Sequence, residues 1–142
     1  MPIAALDLGR RRIGVAVTDA ASMGPHPVGI VERRALKDDL QAIGTMLRDR
    51  DVSAIIVGLP LNMDGSEGPA ARGARRFAEQ LAAGLGVNVE LFDERLTSFE
   101  ARERLADMPA RKGARKTGLD ALAAVVILEG WMEANPEKVP RR

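Results

Sequence analysis

Three acids in the 142-residue chain stand where the residue pattern expects sheet ends or the start of a buried helix. Asp7 comes late in the apolar run "IAALDL", Glu94 follows "VNVELF", and Asp120 opens the run "ALAAVVIL". Parallel strands of one sheet end on the same side, so Asp7 and Glu94 can face each other across neighbouring strand ends. Three carboxylates brought together repel one another and call for a divalent cation. Such hard oxygen donors suit Mg²⁺ or Mn²⁺. Two such ions about 3.5–4 Å apart can activate water and stabilise the leaving oxygen in phosphodiester cleavage. Each acid also has a plainer reading. Asp7 can end a strand and bond its turn, and Asp93, Glu94 and Arg95 can form an exposed ion-paired loop. Thr117 and Asp120 match a capping box, which the helix dipole favours. Spacing alone leaves the choice open.

Basic residues lie next to two of these acids. Arg10, Arg11 and Arg12 follow Asp7 on a turn, where their mutual repulsion is offset if they hold backbone phosphates. Arg111, Lys112, Arg115 and Lys116 fall in "MPARKGARKTG", a glycine-containing stretch without periodicity just before Asp120. A basic loop there can close over a nucleic-acid strand, although a solvated turn and a solvated loop remain the plainer alternatives. Aromatic residues are only 3% of the chain, too few to interleave with these charges and stack bases. Recognition by shape and backbone is therefore expected.

The elements that must position these residues follow from periodicity. "IAALDL" (Ile3–Leu8) reads as a central strand buried on both faces. After a tight turn at Gly9–Arg11, residues 12–19 return as a hairpin partner, and 28–33 as a third antiparallel strand. Leu36, Leu40, Ile43 and Leu47 then recur at helical spacing and predict a helix over 36–50. Residues 52–60 read as a buried strand stopped by Gly58 and Pro60. A second helix carries Ala71, Phe77, Leu81 and Leu85, and 87–92 is a fifth strand. Thr97 and Glu100 match a capping box for a third helix to 107, and a last helix covers 119–134. The order β-β-β-α-β-α-β-α-α gives an α/β fold in one domain, 1–134, with 135–142 expected as a flexible tail. Right-handed crossovers would cover the sheet with helices. The arrangement suits a ribonuclease-H-like mixed five-stranded sheet, a three-strand meander plus parallel strands, though element order alone does not single it out.

Composition removes several chemistries. The formal charge is +1, so nucleic-acid binding must come from local clusters rather than a global field. With no cysteine and one histidine, His26, the chain lacks the residues for Ser/His/Asp, Cys/His and zinc sites. "GLPLNMDGS" lacks the GK[ST] of a phosphate-binding P-loop. No signal peptide or membrane-length apolar run is read, and a cytoplasmic protein is expected.

Four segments in order resemble the YqgF family, the bacterial Holliday-junction-resolvase-like proteins regarded as pre-16S rRNA nucleases. "DLGRRRIGVAVTD" is similar to the opening motif D-x-G-x-K-R-I-G-x-A-x-S-D, with Arg11 for Lys and Thr18 for Ser. "GLPLNMDGSEG" is similar to G-L-P-x-x-M-D-G, "DERLTS" to D-E-R-L-T-[ST], and "LDALAAVVIL" to [IV]-D-x-x-A-A-x-x-I-L. The resemblance spans nearly the whole chain. It implies a ribonuclease-H-like fold with Asp7, Glu94 and Asp120 as an acidic triad holding Mg²⁺, or Mn²⁺. It also implies maturation of the 5′ end of 16S rRNA, within a precursor 30S particle or on free RNA. Arg11 and Arg12 take the family's basic positions beside the first carboxylate, and Arg95 joins the residues expected to meet nucleic acid. Asp93, adjacent to Glu94, is open to exchanging roles with it.

Three rivals stand beside that reading. Resolution of four-way DNA junctions requires two sites and hence a dimer, yet no exposed apolar stripe is evident, so a monomer or weak dimer is expected. An actin-like or sugar-kinase-like nucleotide binder would need a second D-x-G unit, which is missing. A non-catalytic factor could bind ribosomal precursor or transcription machinery through the basic loop, and metal dependence separates it from a nuclease.

Overall fold

Strand β1 (Ile3–Leu8) forms the centre of the sheet because its run of apolar residues can be buried on both faces. The computed structural model describes residues 2–18, 24–97 and 114–138, with side chains from 121 onward in the last stretch. Five strands are ordered β3-β2-β1-β4-β5, where β2 is Arg12–Val17, β3 is His26–Glu32, β4 is Ala54–Leu59 and β5 is Asn88–Asp93. The β1–β2 and β2–β3 pairs are antiparallel, and β4 and β5 run parallel to β1. This is the mixed sheet with an antiparallel meander that the sequence predicts.

Helices α1 (Leu36–Leu47) and α2 (Pro69–Leu85) cover one face, and α3 (Ala114–Ala134) covers the other. Asp38 and Asp39 lie in the first turn of α1, where acids complement the helix dipole. Asp39 is only 3% exposed and accepts a 2.7 Å hydrogen bond from the Arg34 amide. Pro69 opens α2, and Gly86 ends it in a left-handed conformation (φ 66°) that glycine adopts without strain. Ala4, Leu6, Ile55 and Val57 point toward α1 and α2. Ile3, Ala5, Ala16, Ile56 and Phe92 point toward α3, where Ala124, Ile127, Leu128 and Trp131 meet them. The strand alternation thus assigns each residue to a face.

Several boundaries differ from the sequence expectation. The first helix ends at Leu47 and tightens into a 3₁₀ turn at Arg48–Arg50, closed by Asp51 in the left-handed region. Gly58 lies inside β4 instead of stopping it. The last helix begins at Ala114, so Arg115 and Lys116 are helical and not part of a loop. Ala, Arg and Lys are strong helix formers, and the single Gly118 costs only about 1 kcal/mol in a helix interior. Thr117 is therefore the fourth helical residue, which removes the capping-box reading of Thr117 and Asp120. Asp19, the helix expected to 107, and the candidate residues Arg111 and Lys112 lie outside the described residues. After α3, Asn135 bonds back to the Trp131 carbonyl and residues 136–138 form a 3₁₀ turn. Lys138 approaches Glu90 at 3.6 Å there, within the segment expected as a tail.

Candidate active site

The hairpin that carries Asp7 is fixed by its turn. Gly9 donates to the Arg12 carbonyl at 2.9 Å, and a Cβ on Gly9 would stand 2.7 Å from that same oxygen. Arg33 secures the turn from the far side. Its amide donates to the Arg11 carbonyl and its Nη1 to the Gly9 carbonyl, both at 2.8 Å. The guanidinium lies over the Phe77 ring, 5.7 Å from the centroid, and 4.0 Å from the buried Asp39 carboxylate. Gly9→Ala is expected to destabilise the protein by about 1–3 kcal/mol, the usual cost of forcing an extra carbon into a filled space. An unchanged thermal midpoint would show that the turn yields.

Asp7 is half-buried on the face toward α3, because Ile3 and Ala5 precede it at even spacing on that face. Its antiparallel partner is Gly14. Arg12 lies two residues before Gly14, hence on the same face at the sheet rim, while Arg10 and Arg11 are exposed at the turn. The three arginines thus border Asp7, with only Arg12 on its face.

Glu94 is reached differently from the expectation. Asp7 and Glu94 do not belong to neighbouring strands, because β4 separates β1 from β5. Two inter-strand steps put the β1 and β5 backbones roughly 9–10 Å apart. On the face toward α3, the residue between them is Gly58, which pairs with Phe92 and follows Val57, the partner of Leu6. Cγ and Cδ of Glu94 both lie 3.1 Å from where a Gly58 Cβ would stand. The Glu94 side chain therefore lies back over β4, on the face that carries Asp7.

Asp93 is separated from Glu94 by the same alternation. Phe92 and Glu94 share the face toward α3, and Asp93 lies between them at the end of β5. Its carboxylate is gripped by Arg95, with Nε at 3.1 Å from both oxygens and Nη2 at 2.8 Å. The Arg95 amide adds a 2.9 Å bond, which caps a 3₁₀ turn at Glu94–Leu96. These bonds hold the Asp93 carboxyl below its ordinary pKa. Glu94 is the reverse. Burial pushes its carboxyl above its ordinary pKa, and the Asp93 charge pushes the same way. Asp93 is thus engaged by Arg95, and Glu94 is the acid turned toward Asp7's face.

Arg95 also donates through Nη1 to the Met63 carbonyl at 3.2 Å, tying this turn to the 61–68 loop. That loop is braced internally by Asp64, which accepts from the Ser66 amide and hydroxyl, and by Asn62, which donates to the Ser66 hydroxyl. It presents Met63 at 95% exposure. Arg95 keeps two N–H groups beyond these three contacts, since a guanidinium carries five.

Asp120 lies in the first third of α3, and its side chain is outside the described residues. The helix is positioned by Gly130 against Phe92 and Thr97 and by Ile127 over Gly58. It also packs across β1, β2 and β3. Asp120 is one turn before Ala124 on the stripe that includes Ile127 and Trp131, and about 10.5 Å along the axis from Ile127. Arg115 and Lys116 are in the same first turns.

Among the described residues, no three acids, histidines or cysteines cluster closely enough to hold a metal ion. Asp7 and Glu94 supply only oxygen donors, and the missing side chain at Gly58 leaves a cradle between them. Both features fit a small hard cation. Sequence reasoning missed Gly58, Gly14 and Arg33. The two glycines sit inside strands rich in Ile and Val, which is the usual signal of a close approach; Arg33 carries no such signal.

A family model described as RuvX, Holliday junction resolvase, matches residues 1–134. A protein of Anaeromyxobacter sp. (strain Fw109-5) named "Putative pre-16S rRNA nuclease" is 50% identical over 128 residues, 90% of this chain and 93% of that protein. One of the same name from Myxococcus xanthus is 45% identical over 130 residues, 92% of this chain and 86% of that protein. Among solved structures, Thermus thermophilus RuvC aligns over 95% of this chain and 97% of its own, with a TM-score of 0.52 and 16% identity. The fowlpox virus resolvase bound to Holliday junction DNA aligns over 94% of this chain and 98% of its own, with a TM-score of 0.54 and 13% identity. At those identities the two structures speak to the fold, which is ribonuclease-H-like.

Proposed function

The chain belongs to the RuvX, or Holliday junction resolvase, family and is a nuclease, and we propose that it matures the 5′ end of pre-16S rRNA with Asp7, Glu94 and Asp120 around a divalent cation. The observation that carries this reading is the Glu94 side chain laid over Gly58, on the face and at the sheet end that carry Asp7. Asp120, on the stripe of α3 that faces the sheet, is the third ligand. A Mg²⁺ or Mn²⁺ ion held there would activate water and stabilise the leaving oxygen of a phosphodiester. The chain's own groups do the rest. Asp7 and Glu94 would hold that cation over the bare backbone of β4, and Arg10, Arg11 and Arg12 hold neighbouring phosphates at the turn. Arg95 offers its two remaining N–H groups to the strand while bracing Asp93 and Met63. Arg111, Lys112, Arg115 and Lys116 supply further backbone charge before Asp120.

The names of relatives at 45–50% identity over nine-tenths of the chain support an rRNA substrate, free or in a precursor 30S particle. Among the described residues, no helix is long and apolar enough to cross a membrane. We assign the reaction to the cytoplasm and to a monomer or weak dimer. The family's description favours a second reading, four-way DNA, and one experiment separates the two. Labelled RNA spanning the precursor 5′ end and a labelled four-way DNA junction are offered to the same enzyme with Mg²⁺ or Mn²⁺. Cutting of the RNA at a unique site is expected. Cutting of the junction alone would reverse the assignment, and binding of both without cutting would favour a non-catalytic factor.

Replacing Arg111 and Lys112 with Ala is expected to weaken RNA binding uniformly across sequences. Loss of two phosphate contacts flattens the log–log salt slope by about 1.4 for a single strand. An unchanged slope would reduce the segment to a solvated connector.

A further inference from the structure

We infer that Gly58 is a positioning residue, whose lack of a side chain lets Glu94 reach across an entire strand to act with Asp7 on one cation. The inference deepens the cation reading above and rests on it. Its basis is topological. In this sheet the two acids belong to β1 and β5, with β4 in between. Any side chain at position 58 would project into the space that separates them, since β4 pairs Val57 with Leu6 on one side and Gly58 with Phe92 on the other. An added Cβ would stand 3.1 Å from both Cγ and Cδ of Glu94, and 2.7 Å from Cδ1 of Ile127 on α3.

The two contacts have different consequences. The Ile127 Cδ1 is the end of a flexible side chain and can rotate away. The Glu94 backbone is held, because its neighbour Asp93 is clamped by Arg95 and its own carbonyl accepts from the amide and hydroxyl of Thr97, so the adjustment falls on its side chain. Its carboxyl must then rise off β4 by a few tenths of an ångström or swing outward. A constellation of this kind works only within about 0.5 Å of its productive geometry, so a shift of a few tenths consumes most of that margin and an outward swing exceeds it. On its other side Asp7 faces Gly14, so the floor of the site is bare backbone on both flanks of the central acid. A bulky residue at 58 would fill the cradle.

The test separates the cradle from core packing. Mn²⁺ affinity is measured by titration of the purified full chain for the wild type, Ile127→Val, Gly58→Ala and the Gly58→Ala/Ile127→Val pair, with thermal midpoints alongside. Ile127→Val removes the atom that a Cβ would strike on α3, so in the pair only Glu94 is crowded. The expected result is unchanged affinity in Ile127→Val and about 10- to 100-fold weaker binding in the pair, the loss typical when a group that orients a ligand is altered. At saturating Mn²⁺ the pair's kcat falls while its KM for RNA stays put. Should the pair fail to fold, Gly58→Ala alone is read in its place, since the end of the Ile127 side chain can rotate away from the added Cβ. Mn²⁺ bound as tightly by the pair as by Ile127→Val would overturn the role of Gly58 and leave the cation site standing. Absence of Mn²⁺ binding by the wild type would overturn the cation site and this inference with it.

Discussion

Asp7→Asn leaves the protein folded and stops cleavage. The two side chains are nearly the same size, and Asp7 is only half-buried near the end of β1, so the exchange leaves the packing of the sheet in place. What changes is the donor set: an amide offers one neutral oxygen where a carboxylate offers two charged ones. A cation shared with Glu94 loses its central ligand, and the arginine turn then presents a phosphate to an incomplete site. The expected fall in rate is about 1000-fold or more, at the upper end of single-group losses in transition-state stabilisation. Circular dichroism and the thermal midpoint should match those of the wild type. Cleavage within a few-fold of wild type would remove Asp7 from the mechanism, and a collapsed midpoint would make it a structural residue.

Glu94→Gln has effects of opposite sign on activity and stability. Burial and the Asp93 charge raise the Glu94 carboxyl above its ordinary pKa in the metal-free fold. The folded protein therefore holds that proton more tightly than the unfolded chain does. Stability falls as pH rises from the unfolded value through the raised folded one, and above that window the penalty is constant. A neutral amide escapes it. In EDTA at neutral pH the variant is expected to be more stable than wild type, with a higher thermal midpoint. At pH values below the unfolded carboxylate range the gain should vanish. Added Mn²⁺ should raise the wild-type midpoint by mass action and leave the variant's unmoved. Cleavage falls on the same scale as for Asp7→Asn. A variant less stable than wild type in EDTA would show that Glu94 is held by favourable contacts rather than against its charge.

Much of the fold was legible because the strands are short, apolar and separated by clear turn residues. The central position of Ile3–Leu8 follows from its nearly continuous apolar run, and the hairpin from Gly9 and the return strand. What periodicity could not supply was the order of strands across the sheet. β4 enters between β1 and β5, so the two acids oppose each other over a strand and not beside it. That turns Gly58 from a strand stop into the floor of the site. The choice between Asp93 and Glu94 was within reach of the sequence, since a period of two from Phe92 puts Glu94 on the α3 face and Asp93 off it. The Arg95 clamp on Asp93 was not, because it depends on a 3₁₀ turn that bends the chain back. The early start of α3 was hidden by the charges at 115 and 116, which read as a basic loop although both residues favour a helix.

The most direct test of the central claim is cleavage of labelled precursor RNA by wild type and Asp7→Asn across a Mg²⁺ titration that begins in EDTA. The account predicts no cutting by wild type in EDTA, full recovery as Mg²⁺ is restored, and no recovery by Asp7→Asn at any Mg²⁺ concentration. Cutting by wild type that ignores EDTA, or Asp7→Asn cutting at the wild-type rate, would contradict it.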